Sequence, residues 1–279
     1  MVGAIIGSEA VAAGTVTPHG LRTAFRSVYP GVHVRRDSQL SAVGRAQAAW
    51  LWSRRRGVVA GHSAAAWHGA KWVGPNEPAE LIHDNRHPPP GIRTWADRLA
   101  EDEVVVLRGV PVTTPARTAL DLARRYRSDR AVAVIDALAN ATRLKPADID
   151  ELVERYRNHR GIAQARATLA LVDGGAESPR ETWLRLLLIR AGFPAPTTQF
   201  VVRDQYGQAI ARVDMAWPEL KVAVEYEGDH HRTDRRQFNR DIRRVDALTE
   251  LGWIVIRVTV EDTEGAIIHW VTNARARRV

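Results

Sequence analysis

The 279-residue chain is predicted to be α/β, α+β overall, and to divide into three segments at residues 1–75, 76–172 and 173–279. Three observations lead there. The length exceeds one ordinary domain and suits two or three. Hydrophobic residues make up 45% and charged residues 26% of the chain, both globular values, so a core is within reach. VDGGAESP, residues 172–179, separates a mainly helical stretch from one of alternating apolar residues, and its Gly pair and Pro read as a linker.

The first segment opens with two short helices. Ser8 is placed to cap the first, which Gly14 ends; Thr17 is placed to cap the second, with Pro18 at its first position. The short turn between them is that of a helix-turn-helix. YPGVHVRR then alternates like a strand, in the place of a wing, and helices follow near 41–55 and 63–68. On the second short helix His19, Arg22, Thr23 and Arg26 are expected to share one exposed face, as a DNA-reading helix requires; an ordinary helical hairpin with solvated charges fits the same pattern.

The middle segment begins with short β runs, PAELIHDN and DEVVVLRGVPV, and turns helical at TTPARTALDLARR. There Thr114 caps, Pro115 opens, and Ala119, Leu120 and Leu122 supply the apolar stripe. More helices are expected near 130–143, 146–158 and 161–172. After the linker the order is α-β-β-β-α-β-α. ETWLRLLLIRAGFP is a helix stopped by Gly192 and Pro194; TTQFVVRD, AIARVDMAW and KVAVEYEG are strands; RRQFNRDIRRVDALTEL is a helix, WIVIRVTV a strand, and a helix near 261–275 follows.

Composition narrows the chemistry. The net charge of +8 and a pI near 10.5 favour anionic partners, nucleic acid first. The same bias arises from base composition, because Lys occurs only at 71, 145 and 221 while the other basic residues are Arg. Cys is absent, which removes disulfides, thiolate zinc sites and cysteine nucleophiles together. No apolar run reaches the ~18 residues of a membrane span, and the opening MVGAIIGSEAVAAG lacks the basic region of a signal peptide. A cytoplasmic location without membrane contact is the expectation.

VAVEYEGDHHR, residues 222–232, concentrates ionisable groups at the end of one apolar strand. Glu225 and Glu227 stand two apart and share a face. Asp214 lies inside the preceding strand, level with that pair if the two strands are antiparallel, and Glu181 lies on the helix before them. Converging carboxylates are what Mg²⁺ takes as ligands, with Mn²⁺ as a substitute, and a bound metal can polarise a phosphodiester. Asp214, Glu225 and Glu227 are the metal-ligand candidates. His230 and His231 follow Gly228, and a neutral imidazole there can accept a proton from water; Asp241 is placed to orient it. Arg236, Arg240 and Arg243 belong to a basic run that can meet phosphate, although a solvated helix face explains several of its members.

At these residues the C-terminal block, from about Glu177 to Thr259, resembles the PD-(D/E)xK nuclease superfamily. Within it, the block is similar to very short patch repair endonucleases and to DUF559 domains. ETWLRLLLIRAG, RVDMAWPELKVAVEYEGDHH and NRDIRRVDALTELGW carry the likeness. The resemblance implies a restriction-endonuclease-like mixed sheet flanked by helices, Asp214 as metal ligand, Glu181 as the acidic residue of the first helix, His230 or His231 as general base and Asp241 as its partner. Glu227 stands where the superfamily carries Lys, and Lys221 is too far along the strand to replace it. The repair enzymes also lack that Lys and use His; their zinc-site cysteines have no counterpart here. GSEAVAAGTVTPHGLR, YPGVHV and HSAAAWHG resemble the winged-helix part of AbiEi-type antitoxins, with TTPARTALDLARR extending the likeness to about residue 127. That resemblance implies DNA binding and self-regulation, and the pairing of such a front with a nuclease-like back implies a defence or toxin–antitoxin-related protein with a toxin–antitoxin partner.

The function expected is a Mg²⁺-dependent DNA endonuclease, in a defence or toxin–antitoxin setting. The alternative is a non-catalytic DNA-binding regulator or antitoxin that keeps the nuclease fold as a clamp. Cleavage of RNA is open to the same chemistry. A homodimer suits an enzyme that makes paired breaks.

Overall fold

The structure is a computed structural model that describes residues 3–228 and 244–278. It is α+β, with helices beside three separate sheets. The chain divides into two compact units, Met1–Gly174 and Gly175–Val279.

The first unit opens with strand β1 (Ile5–Ile6), helices α1 (Gly7–Ala12) and α2 (Pro18–Ala24), and the hairpin β2 (Phe25–Tyr29) and β3 (Val32–Arg35). β3 is central and antiparallel to both neighbours. Thr17 caps α2 by accepting from Gly20 N at 3.0 Å. Ser8 does not cap α1: the helix already begins at Gly7, behind Ile6, whose side chain has no acceptor to offer. Helix α3 (Ala42–Trp52) packs Ala46, Ala49 and Leu51 into a core shared with Ile6, Tyr29 and Val32.

A five-stranded mixed sheet follows, ordered β6-β5-β4-β8-β7, from β4 (Val58–Val59), β5 (Ala79–Ile82), β6 (Ile92–Trp95), β7 (Val104–Leu107) and β8 (Val110–Thr113). Helix α4 (Gly61–Trp67) intervenes between β4 and β5, and α5 (Pro115–Arg125), α6 (Ser128–Thr142), α7 (Pro146–Arg155) and α8 (Ile162–Leu169) complete the unit. Thr114 caps α5 as its sequence predicts, accepting from Arg117 N at 3.4 Å. The division expected at residue 75 runs through this sheet. β4, before that point, pairs with β5 and β8 after it, and the Tyr29 hydroxyl donates to Gly91 O at 3.1 Å. Strand β4 is two residues long, too short to announce itself by alternation.

The second unit contains α9 (Pro179–Arg190), β9 (Thr197–Arg203), β10 (Ala209–Trp217), β11 (Val222–Tyr226), a helix α10 over residues 244–250, β12 (Ile254–Val258) and α11 (Glu264–Ala276). Its sheet runs β12-β11-β10-β9, antiparallel except for the parallel β11–β12 pair. Leu184, Leu188, Met215, Trp217, Val224, Val258, Ile267 and Val271 form its main core. A parallel neighbour needs a crossover, and α10 lies between β11 and β12 in the chain. A short 3-10 turn (Pro218–Leu220) and Lys221, with a left-handed φ of 49°, connect β10 to β11. Lys221 Nζ donates to Leu251 O at 3.1 Å, at the far end of β11 from the acidic residues.

Candidate functional site

The register of the second unit brings three of the expected carboxylates together. β10 and β11 pair Met215 with Val224, so the next rung sets Asp214 directly across from Glu225, on the same face of the sheet. Glu181 stands in the first turn of α9, where Ser178 accepts from its backbone N at 3.2 Å. The Asp214 carboxyl accepts from Tyr226 N at 2.9 Å. Burial, with Glu181 and Glu225 close by, pushes its pKa up to about 7, against the opposing pull of the Tyr226 N–H and the Arg244 guanidinium.

Glu225 is only 6% exposed. Arg244, on α10, meets it with both terminal nitrogens, Nη1 to Oε1 at 2.5 Å and Nη2 to Oε2 at 2.9 Å. The fork-on-fork geometry is the strongest that a carboxylate and a guanidinium make. Glu227 has left the strand, and its Oε1 lies 2.9 Å from Arg257 Nη1. The structure therefore groups Asp214, Glu225 and Glu181, and gives Glu227 a different partner. His230, His231, Asp241, Arg236, Arg240 and Arg243 lie outside the described residues.

One residue of this centre escaped the sequence reading. Gln199 sits inside β9 with a left-handed φ of 49°. Phe200 pairs with Val213 and Thr198 with Met215, so Gln199 is the rung beside Asp214. Its Nε2 donates to Glu181 Oε2 at 3.1 Å, and Glu177 N donates to the same oxygen at 2.9 Å. A left-handed non-glycine residue inside a strand costs about 1–2 kcal/mol, and strain of this kind concentrates where geometry matters to function. The only trace of it in the sequence is a polar residue within TTQFVVRD.

Whether these groups suit Mg²⁺ or Mn²⁺ can be judged from their donors. Both oxygens of Glu225 are occupied by Arg244, one oxygen of Asp214 by Tyr226 N, and one of Glu181 by two N–H groups. Among the described residues no group of three His, Asp or Glu is disposed to hold a metal ion. As arranged, the described residues do not fit a divalent cation, because a guanidinium occupies the Glu225 oxygens that it would need.

In the first unit α2 buries none of its side chains, and His19, Arg22 and Thr23 are exposed on it. Arg26 is not on that helix. It belongs to β2, where its Nη2 donates to Ser38 O at 3.0 Å, because the chain leaves the helical conformation at Phe25. The exposed basic surface near this module includes Arg54 and Arg56, beyond α3; Arg55 between them pairs with Glu9 at 2.5 Å.

Two buried polar clusters in the same unit have the composition of active sites. Glu80, on β5, accepts from His62 N at 3.1 Å and from the Tyr126 hydroxyl, and lies 3.3 Å from His62 Nδ1. Burial alone would raise its pKa; the His62 and Tyr126 contacts bring it below the usual carboxylate value. The carboxylate caps α4, whose own N-cap, Ala60, carries no acceptor. In the second cluster Arg117 is fully buried and donates to Asp121 at 3.0 Å, to Asp97 at 3.1 Å, to the Tyr156 hydroxyl at 2.8 Å and to Glu103. Arg125 joins it through Asp97 at 2.6 Å. These groups bond chiefly to one another, and the bonds tie α4 and α5 to the sheet.

Residues 57–171, the span of the five-stranded sheet and the helices around it, match the AbiEi antitoxin C-terminal domain family. The match begins after the helix–helix–hairpin module, so it covers HSAAAWHG and TTPARTALDLARR but not GSEAVAAGTVTPHGLR or YPGVHV. Two uncharacterized proteins of Mycobacterium tuberculosis, one from strain CDC 1551 / Oshkosh and one from strain ATCC 25618 / H37Rv, are each 38% identical to the chain over 150 residues. The aligned part is 54% of this chain and 55% of each relative, so the chain spans about half the length of the curated relatives it matches. No solved structure matches the chain. Among the described residues no helix is long and apolar enough to cross a membrane.

Proposed function

We propose that the chain is a DNA-binding regulator of the antitoxin type, acting with a protein toxin as partner. The observation that carries this reading is the position of the antitoxin-domain match, which follows, after α3, a helix–helix–hairpin module whose second helix is exposed and carries His19 and Arg22 without an acidic residue. In that module α2 has the place of a reading helix and the β2–β3 hairpin that of a wing. His19, Arg22 and Thr23 face the groove, and the chain's net charge of +8 favours the phosphate backbone. The test is a binding titration with duplex DNA over a range of salt. Arg22→Ala with His19→Ala is expected to weaken binding and flatten its salt dependence; unchanged affinity and slope would remove α2 from the interface.

A second reading, metal-dependent cleavage of DNA by the C-terminal unit, is favoured by one observation: Asp214, Glu225 and Glu181 converge on a single sheet face. The Arg244 guanidinium on both Glu225 oxygens stands against it. Supercoiled plasmid incubated with Mg²⁺, Mn²⁺ or EDTA separates the two readings. Metal-dependent nicking that Asp214→Ala abolishes supports the enzyme; salt-sensitive binding without nicking supports the regulator.

A further inference from the structure

The β7–β8 hairpin leaves β7 at one edge of the five-stranded sheet. Its residues are Val104, Val105, Val106 and Leu107, and Val106 is 67% exposed. An open apolar edge is a template for another strand, and natural proteins usually blunt such edges with Lys, Pro or a bulge. β7 carries none of these. The phase of the ladder says which groups are on offer. Thr114 N donates to Glu103 O at 2.9 Å, which makes Glu103–Thr114 a hydrogen-bonded pair. By alternation Val105–Val112 and Leu107–Val110 are bonded pairs as well. The backbone N–H and C=O of Val104 and Val106 therefore point outward, away from β8.

The charges flanking this edge are opposite in sign. Asp102 precedes the strand, and Arg108 follows it in a tight turn with Gly109, both at positive φ, 51° and 77°. Asp102 pairs with Arg155 at 2.8 Å, while Arg108 makes no ion pair among the described residues.

We infer that β7 is a self-association strand, and that two copies of the chain join edge to edge, antiparallel, about a two-fold axis through Val105. In that register Val104 of one copy faces Val106 of the other, and their outward backbone groups bond. At each end of the new ladder the turn that carries Arg108 of one copy then comes beside the 3-10 turn (Glu101–Glu103) that carries Asp102 of the other. The neighbouring in-phase registers do worse: with Val104 opposite itself Arg108 meets Ala100, and with Val106 opposite itself Arg108 meets Val104. Opposite charges brought close at both ends of the strand pair attract each other, so the sequence from Asp102 to Arg108 is complementary to itself in one register. The contact is isologous and closes at two copies. This inference is independent of the DNA-binding reading.

The experiment is molar mass by light scattering over a dilution series, with three variants. The wild-type chain is expected to move from 31.0 kDa towards twice that mass as concentration rises. Val106→Lys, at an exposed position, is expected to melt like the wild type and lose the dimer. The chain has no Cys, so an introduced one reports without background. Val105→Cys meets its own copy across the axis in a non-hydrogen-bonded pair, with Cα atoms about 4.5 Å apart, within disulfide range. Mild oxidation is expected to crosslink it, while Val106→Cys, which faces Val104 instead, loses the crosslink. A mass of one chain throughout, a dimer indifferent to Val106→Lys, or equal crosslinking by both Cys variants would each overturn the inference.

Discussion

Arg244 holds both carboxylate oxygens of Glu225, and Glu225 stands on the rung opposite Asp214. A guanidinium thus supplies the positive charge at a buried carboxylate that would otherwise be uncompensated. Arg244→Met is expected to cost about 3–5 kcal/mol at pH 8, the usual penalty for stranding a buried charge. Arg244→Met combined with Glu225→Gln should recover much of the loss. Urea denaturation midpoints of the single and double variants measure it; a single variant as stable as the wild type would mean that the pair contributes nothing.

Asp214 is expected to be held at the expense of stability. Its pKa rises from 3.8 to about 7 on folding. The folded state therefore keeps the proton more tightly than the unfolded state between those values, and stability attributable to this group falls as pH rises through that window. Above pH 7 the full penalty applies, roughly 2–4 kcal/mol after allowance for partial exposure. Asp214→Asn keeps an acceptor for Tyr226 N and removes the charge. It is expected to be more stable than the wild type at pH 8 and to lose that advantage towards pH 4. Thermal melts across this range decide it.

Gln199 offers a separate measure of strain. Gln199→Gly relieves the left-handed backbone, while Gln199→Ala keeps it; both lose the bond to Glu181. The Gly variant is expected to be more stable than the Ala variant by about 1 kcal/mol. If the two melt together, φ at this position carries no strain.

Gly61 tests the carboxylate cap on α4. Its φ is +54°, and a Cβ there would lie 1.6 Å from Glu80 Oε2. Gly61→Ala is expected to destabilise the first unit by roughly 2–4 kcal/mol, through the clash and the displaced cap. The cap itself has a pH signature. The Glu80 pKa is lowered from 4.5 on folding, so its contribution is complete above pH 4.5 and declines as pH falls through the folded value. Glu80→Gln should therefore flatten the acid limb of the wild-type stability profile.

Much of the secondary structure was legible because it rests on local chemistry. Thr17 and Thr114 cap the helices they precede, and Pro18 and Pro115 open theirs, because a cap needs only the next three residues. The three antiparallel strands of the second unit follow from alternation and from two short connections. Arg26 was misplaced because helix α2 ends two residues earlier than its charge pattern suggested. That one sheet spans residue 75 is not legible in the sequence, because the two-residue strand β4 leaves no periodic signal while still joining the residues on either side.

The candidate site shows the same split. The sequence by itself placed Asp214 and Glu225 at one end of two neighbouring strands, level with each other if those strands were antiparallel; the two-residue spacing of Glu225 and Glu227 did not carry over, because the strand ends at Tyr226. Only the tertiary structure decided which of them meet. It turned Glu227 towards Arg257, brought Arg244 onto Glu225 and set Gln199 against Glu181, because pairings between residues far apart in the chain depend on sheet register and helix packing. The same reason explains why Glu80 and Arg117, which local pattern did not single out, became the polar anchors of the first unit: a buried charge is tolerated only where distant partners converge on it.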